Sequence, residues 1–184
     1  ALLAAILLLR QKAVAARPNW RSVIALYLYM VFFAFAYLSL SAGTGALILF
    51  GAVQLTMFTV ALRSGEHFPP VSWAGLVLAI AGLVYLVSPG LTAPDPLGAA
   101  LMIIAGIAWG AYSLVGRSAT DPVEATAHNF LYAVPLVVAT SLVFAGELAV
   151  TAAGAAYAVA SGAVASGVGY VIWYAALRGL TGTG

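Results

Sequence analysis

Of the 184 residues, 64% are hydrophobic and only 7% charged, with a mean hydropathy of +1.09. A soluble domain carries about 25% charged residues and cannot cover its surface with so few, so the composition excludes a soluble globular protein and implies an integral membrane protein. The formal net charge is +2 without a basic aromatic patch to hold bases, which argues against a nucleic-acid partner, and the absence of cysteine removes disulfides, thiolate metal sites and a cysteine nucleophile.

In chain order, an apolar run ends at Arg10 and reads as the cytoplasmic end of a helix whose beginning is missing, followed by the basic linker Gln11 to Arg21. From Ser22 to Leu62 there is no charged residue, about twice the length that one membrane-spanning helix needs. The interruption Ser39-Leu40-Ser41-Ala42-Gly43-Thr44-Gly45 divides this stretch into helices at 22–40 and 44–63, a transmembrane hairpin with a small polar turn. Helices are then predicted at 71–88, 97–116, 122–145 and 151–177, separated by Ser64 to Pro70, by Ser88 to Pro96, by Asp121-Pro122 and by Gly146-Glu147. Asp121-Pro122 has the form of an N-cap with proline at the first helical position. No strand pattern appears, and the chain reads as all-α.

Residues 35–45, FAYLSLSAGTG, align without gaps on residues 174–184, YAALRGLTGTG, with Gly43-Thr44-Gly45 on Gly182-Thr183-Gly184. This suggests a duplicated helix-turn-helix, two homologous halves, and an interior portion of a longer polypeptide. If successive helices alternate in direction, the linkers fall into two sets. All seven basic residues (Arg10, Lys12, Arg17, Arg21, Arg63, Arg117, Arg178) lie in one set, and the other holds only Asp95 and Glu147. Basic residues mark the cytoplasmic side of short loops, so 10–21, 63–67, 117–124 and 178 are expected there.

Helices in lipid associate through small residues. Gly106 with Gly110, Gly75 with Gly82, and Ser161, Gly162, Ala165, Ser166 and Gly169 are the candidates for close contact. Polar groups within spans need a partner or water. Gln54, Thr56 and Thr59, Tyr112 and Ser113, and His128 and Asn129 are expected to face a common cavity, although bonding between helices would satisfy them equally. Trp109, Tyr112, Tyr170, Trp173 and Tyr174 suit a partly apolar substrate through stacking or cation–π contact; Tyr37, Trp73 and Tyr85 suit the interfacial belts. His128 has a reference pKa near 6.5 that suits proton coupling. Pro135 should kink its helix and is a candidate gate.

These residues resemble the drug/metabolite transporter superfamily, in particular the ten-helix EamA-type exporters. The resemblance is carried by FAYLSLSAGTG and YAALRGLTGTG, Ser64-Gly65-Glu66, WAGLVLAIAGLVYLVSPG at 73–90, IAWGAYSLVGR at 107–117 and Asp121-Pro122. It implies two inverted five-helix repeats, 1–90 and 97–184, running from the end of helix 2 to the start of helix 9. It further implies a secondary transporter in the inner membrane that exports small metabolites, often amino acids and in one subgroup aromatic ones, with no cofactor and no metal. Drugs and nucleotide-sugar-like solutes are the alternative cargo. The family usually has a proline within helix 4, where this chain has Gly51-Ala52-Val53-Gln54, so Gln54 is expected to supply the polar function there. A channel is a further reading. An intramembrane hydrolase would need Ser166 and His128 as a dyad, for which there is no surrounding motif and no evident orienting acid.

Overall fold

The computed structural model describes residues 18–87, 94–117, 122–147 and 150–162. All regular structure among them is helical: α1 Trp20–Ala36, α2 Ala42–Arg63, α3 Pro70–Val87, α4 Pro96–Gly116, α5 Pro122–Val143, a 3-10 turn Ala145–Glu147, and α6 Ala152–Val159. The expected spans at 22–40, 44–63, 71–88, 97–116 and 122–145 are therefore present, with ends that differ by a few residues, whereas the span expected at 151–177 lies mostly outside the described residues. Three segments, Ala42–Arg63, Pro96–Gly116 and Glu124–Val143, are long and apolar enough to cross a bilayer, and α1 and Pro70–Gly82 are apolar but shorter. The second repeat of the Gly-Thr-Gly motif, the linker 10–17, Asp121 and Ser166 lie outside the described residues.

Two compact units make up the chain: Trp20–Ser118, and a second that joins Ala1–Asn19 to Ala119–Gly184. In the first unit α4 is central, packing along both α1 and α2, whereas α3 leans mainly on α2. α1 and α2 are joined by a turn as expected, and each makes its main contacts with α4. This compact unit includes α4 together with α1, α2 and α3.

Close glycine contacts set the register. A Cβ on Gly98 would collide with the Ser39 side chain and Leu40, on Gly106 with Ala52 Cβ and the Leu49 carbonyl oxygen, and on Gly110 with Thr56. As α4 runs from 98 to 110 it thus passes 49 to 56 of α2 in the same direction. It passes α1 in the opposite direction, since Gly98 lies at the end of α1 and Trp109 against Tyr29. The expected alternation holds for these three helices. Met102, Ala105, Leu49, Ala36 and Leu40 form the core between them. Gly75 and Gly82 differ from expectation: a Cβ on either meets nothing within 4 Å. The same sequence device is used on α4 and left unused on α3.

The turn after α1 is also displaced from its predicted place. Ser39 and Leu40 both donate their backbone N–H groups to the Ala36 carbonyl, closing the helix at Ala36 rather than at 40. Ser41 then caps α2, its Oγ accepting from the Thr44 N–H at 3.3 Å while donating to Thr44 Oγ1 at 2.9 Å. Gly43-Thr44-Gly45 is consequently the first turn of α2, not the connection. Glycine at 45 is explained by the Tyr37 ring, which occupies the space a Cβ would need.

Two other helix ends are fixed by local chemistry. Gly65, at φ 82°, closes α2: Gly65 donates to the Leu62 carbonyl and Glu66 to the Ala61 carbonyl, the paired bonds of a Schellman cap. At the start of α4, Asp95 accepts from the Gly98 N–H at 2.7 Å and from Ser39 Oγ at 3.0 Å, so one carboxylate caps α4 and ties it to the turn after α1. Replacing an N-cap carboxylate by alanine costs about 1–2 kcal/mol, whereas asparagine still accepts the bond. Asp95→Ala should therefore lower the thermal unfolding midpoint in detergent measurably, Asp95→Asn much less. Equal effects of the two would contradict the capping role.

In the second unit, Pro135 sits inside α5 and has no N–H for the Leu131 carbonyl. One turn on, Thr140 Oγ1 donates to the Leu136 carbonyl at 3.0 Å, a back-bond of the kind that bends helices. Thr151 caps α6 by accepting from the Gly154 N–H at 3.0 Å.

Candidate functional site

Along α1 the spacing Tyr29, Phe33, Tyr37 places three rings one turn apart on one face. The structure joins them into a ladder: Tyr29 to Phe33 at 5.4 Å between centroids, Phe33 to Tyr37 at 4.8 Å and 76°. Trp109 of α4 extends it, edge-on to Tyr29 at 4.4 Å and 76°. All four rings are half-buried. The ladder runs over eight residue steps, about 12 Å at 1.5 Å per step, from the middle of α1 to Tyr37 in the turn just past its end. There the Tyr37 hydroxyl donates to the Ala42 carbonyl at 3.4 Å, and burial raises its pKa above the ordinary phenol value, so it remains a neutral donor.

Of the residues singled out from sequence, Trp109 belongs to this ladder. Tyr112 lies one turn further along α4 and is also half-buried. Tyr37 also stands in the ladder, against Phe33. Tyr29 and Phe33 are not among the residues singled out from sequence; their spacing of four is the signal that connects them. A second cluster, Phe58 with Phe68 and Trp73 at 4.6 Å each, holds the 64–69 loop against α2.

The polar groups of α2 are not brought together. Thr56 faces Gly110 and its Oγ1 donates to the Ala52 carbonyl at 2.7 Å, so its hydroxyl is satisfied within its own helix. Gln54, two residues earlier, is turned by about 200° to the other side of α2 and is exposed, as is Thr59. A single cavity wall containing Gln54 and Thr56 is therefore not what this unit forms.

In the second unit, His128 and Asn129 are buried, with Thr126 beside them in sequence. His128 Nδ1 lies 3.0 Å from the Glu124 carbonyl oxygen. A carbonyl only accepts, so this contact places a proton on Nδ1 and makes Nε2 the basic nitrogen of the neutral ring. Pro135 is exposed two turns further along. Tyr170, Trp173 and Tyr174 lie outside the described residues. Among the described residues no group of three or more His, Asp or Glu side chains is placed to hold a metal ion.

Regular structure that is helical throughout the described residues, with three helices there long and apolar enough to span a bilayer and mostly apolar outward faces, makes this a membrane protein. No family model matches it, and no solved structure matches it. The chain is 48% identical over 181 residues to the uncharacterized protein PA1977 of Pseudomonas aeruginosa, an alignment covering 98% of this chain and 63% of that protein. The chain thus spans somewhat less than two thirds of the length of the curated relative it matches.

Proposed function

We propose that the protein is a secondary transporter of the inner membrane that exports small metabolites, amino acids among them, by alternating access. The resemblance to EamA-type exporters supplies the two inverted repeats, 1–90 and 97–184, and the direction of transport. The observation that carries the reading is the half-buried ladder Trp109–Tyr29–Phe33–Tyr37, which runs from mid-span to one end of the first unit. Such a surface offers successive faces and edges to a partly apolar solute without binding it too tightly at any one place. Within the first unit Tyr112, one turn from Trp109, would add a further ring, and within the second Asn129 would offer a hydrogen bond. His128, with Nε2 as its basic nitrogen, would carry a coupled proton, and Pro135 would let α5 flex. The sidedness supports the same reading. Arg21 opens α1 while Arg63 and Arg117 follow α2 and α4, so the helix directions put all three at one end and Asp95 at the other. The end with the arginines is then cytoplasmic.

The test is efflux from vesicles containing the full chain, loaded with individual amino acids. Saturable efflux that unlabelled solute competes is the expected result. An edge-on aromatic pair contributes about 0.5–1.5 kcal/mol, up to roughly tenfold in rate or affinity. Trp109→Ala should therefore slow efflux by several-fold to tenfold, while Trp109→Phe keeps most of it. Unchanged efflux by a folded Trp109→Ala protein would remove the ladder from the path, and flux that no solute competes would overturn the carrier itself.

A further inference from the structure

We infer that Asp95, where the aromatic ladder runs out, is a binding point for the ammonium group of a partly apolar amine. The inference rests on the carrier reading and deepens it, by naming the part of the solute that this end of the first unit recognises. Asp95 commits only one of its two carboxylate oxygens. Oδ2 accepts both from the Gly98 N–H at 2.7 Å and from Ser39 Oγ at 3.0 Å. Oδ1 has no bond among the described residues, and the side chain is exposed. The two bonds fix the direction of the carboxylate while leaving one oxygen open to a ligand. Neither bond needs a formal charge, because the amide oxygen of asparagine would accept both. The helix dipole draws on part of the charge, and the open oxygen keeps the rest available.

The placement of this carboxylate follows from the turn after α1. Ser39 and Leu40 both press on Gly98, where a Cβ would have no room, so the turn is seated on the first turn of α4. Tyr37, the last ring of the ladder, stands two residues before Ser39, at most about 7 Å of chain. Rings and carboxylate are therefore neighbours at one end of the unit. Within the stretches 37–45 and 88–98 Asp95 is the only charged residue, and Arg21, Arg63 and Arg117 belong to the opposite end. A cation arriving there meets a negative charge with no base of the unit beside it. Ring faces attract ammonium as well. An amine with an apolar body thus finds contact along Trp109, Tyr29, Phe33 and Tyr37 and a counter-charge at Asp95. A neutral solute of the same shape keeps the rings and loses the counter-charge.

The test is equilibrium binding of radiolabelled phenethylamine to the full chain in detergent at neutral pH, beside its uncharged N-acetyl derivative. An exposed ion pair is worth about two- to fivefold in affinity, so the amine should bind that much more tightly than the amide. Asp95→Asn keeps both structural bonds and removes the charge; it should take away most of the preference while leaving the amide's affinity unchanged. Asp95→Glu should keep part of the preference, which a purely structural role at the cap would not produce. An equal preference in the Asp95→Asn and unaltered chains would overturn the ammonium site while leaving the ladder as a binding surface. Binding of neither compound would remove the ladder and the site together.

Discussion

Gly106→Leu should prevent α4 from seating on α2. Even a Cβ at this position would sit 2.6 Å from Ala52 Cβ and 2.8 Å from the Leu49 carbonyl oxygen, and the second of these is backbone that cannot swing away. Overpacking of a tight site costs about 1–3 kcal/mol and occasionally more. Leucine, with three further carbons in a contact that has no room for one, belongs at the upper end. The expected result is loss of the monodisperse, folded species in detergent and an unfolding midpoint well below that of the unaltered protein. Gly106→Ala should show the lower end of the range, and Ala52→Gly should restore part of what it loses. Gly75→Ala is the contrasting case. With open space around it, alanine should stabilise α3 by about 0.5–1 kcal/mol through helix propensity alone. If both glycines tolerate alanine equally, the close approach of α4 to α2 is wrong.

Met102→Ala is the second large effect. Met102 is 0% exposed and lies among Ala36, Leu40, Leu49 and Ala105, where α1, α2 and α4 meet. In a soluble core this truncation costs about 2–5 kcal/mol, part of it transfer from water and part the cavity left behind. In a bilayer the separated helices are already in hydrocarbon, so the transfer part is small and the lost packing dominates. We therefore expect about 2 kcal/mol, read as a lowered midpoint, and a much smaller change for Met102→Leu, which nearly conserves volume. A neutral Met102→Ala would mean that the three helices do not share this core.

The difference between Gly75 and Gly106 shows how far sequence carried the fold. The spans were legible because twenty apolar residues without charge have few other destinations, and the breaks at Ser39, Ser64, Asp95 and Gly146 are written in turn and capping chemistry. Partners were not legible. In water an apolar stripe identifies the buried face, but here the lipid-facing and protein-facing sides of a helix are equally apolar. The spacing of two puts Gln54 and Thr56 on opposite sides of α2, but nothing in the pattern shows which of those sides meets α4. For the same reason, small residues on α3 and α4 looked alike, and nothing in the pattern showed that α1 and α2 both pack on α4. The Gly-Thr-Gly motif misled in a different way. Its composition is that of a turn, while Ser41 as a cap and Tyr37 over Gly45 make it the opening of a helix. Of the candidate site, Trp109 was legible as a ring deep in a span. The ladder needed both the four-residue spacing on α1 and the knowledge that α4 lies beside it.

The central claim is a weave of alternating helices with its arginines on the cytoplasmic side. Because the chain contains no cysteine, single cysteines at the two ends test it without background. Leu38→Cys lies in the turn after α1, where the side chain is 81% exposed, and Glu66→Cys lies in the exposed loop after α2. In intact cells carrying the full chain, a membrane-impermeant maleimide should label position 38 and leave position 66 unlabelled until the cells are permeabilised. Labelling of position 66 in intact cells, with position 38 protected, would contradict the orientation; labelling of both from outside would contradict the weave.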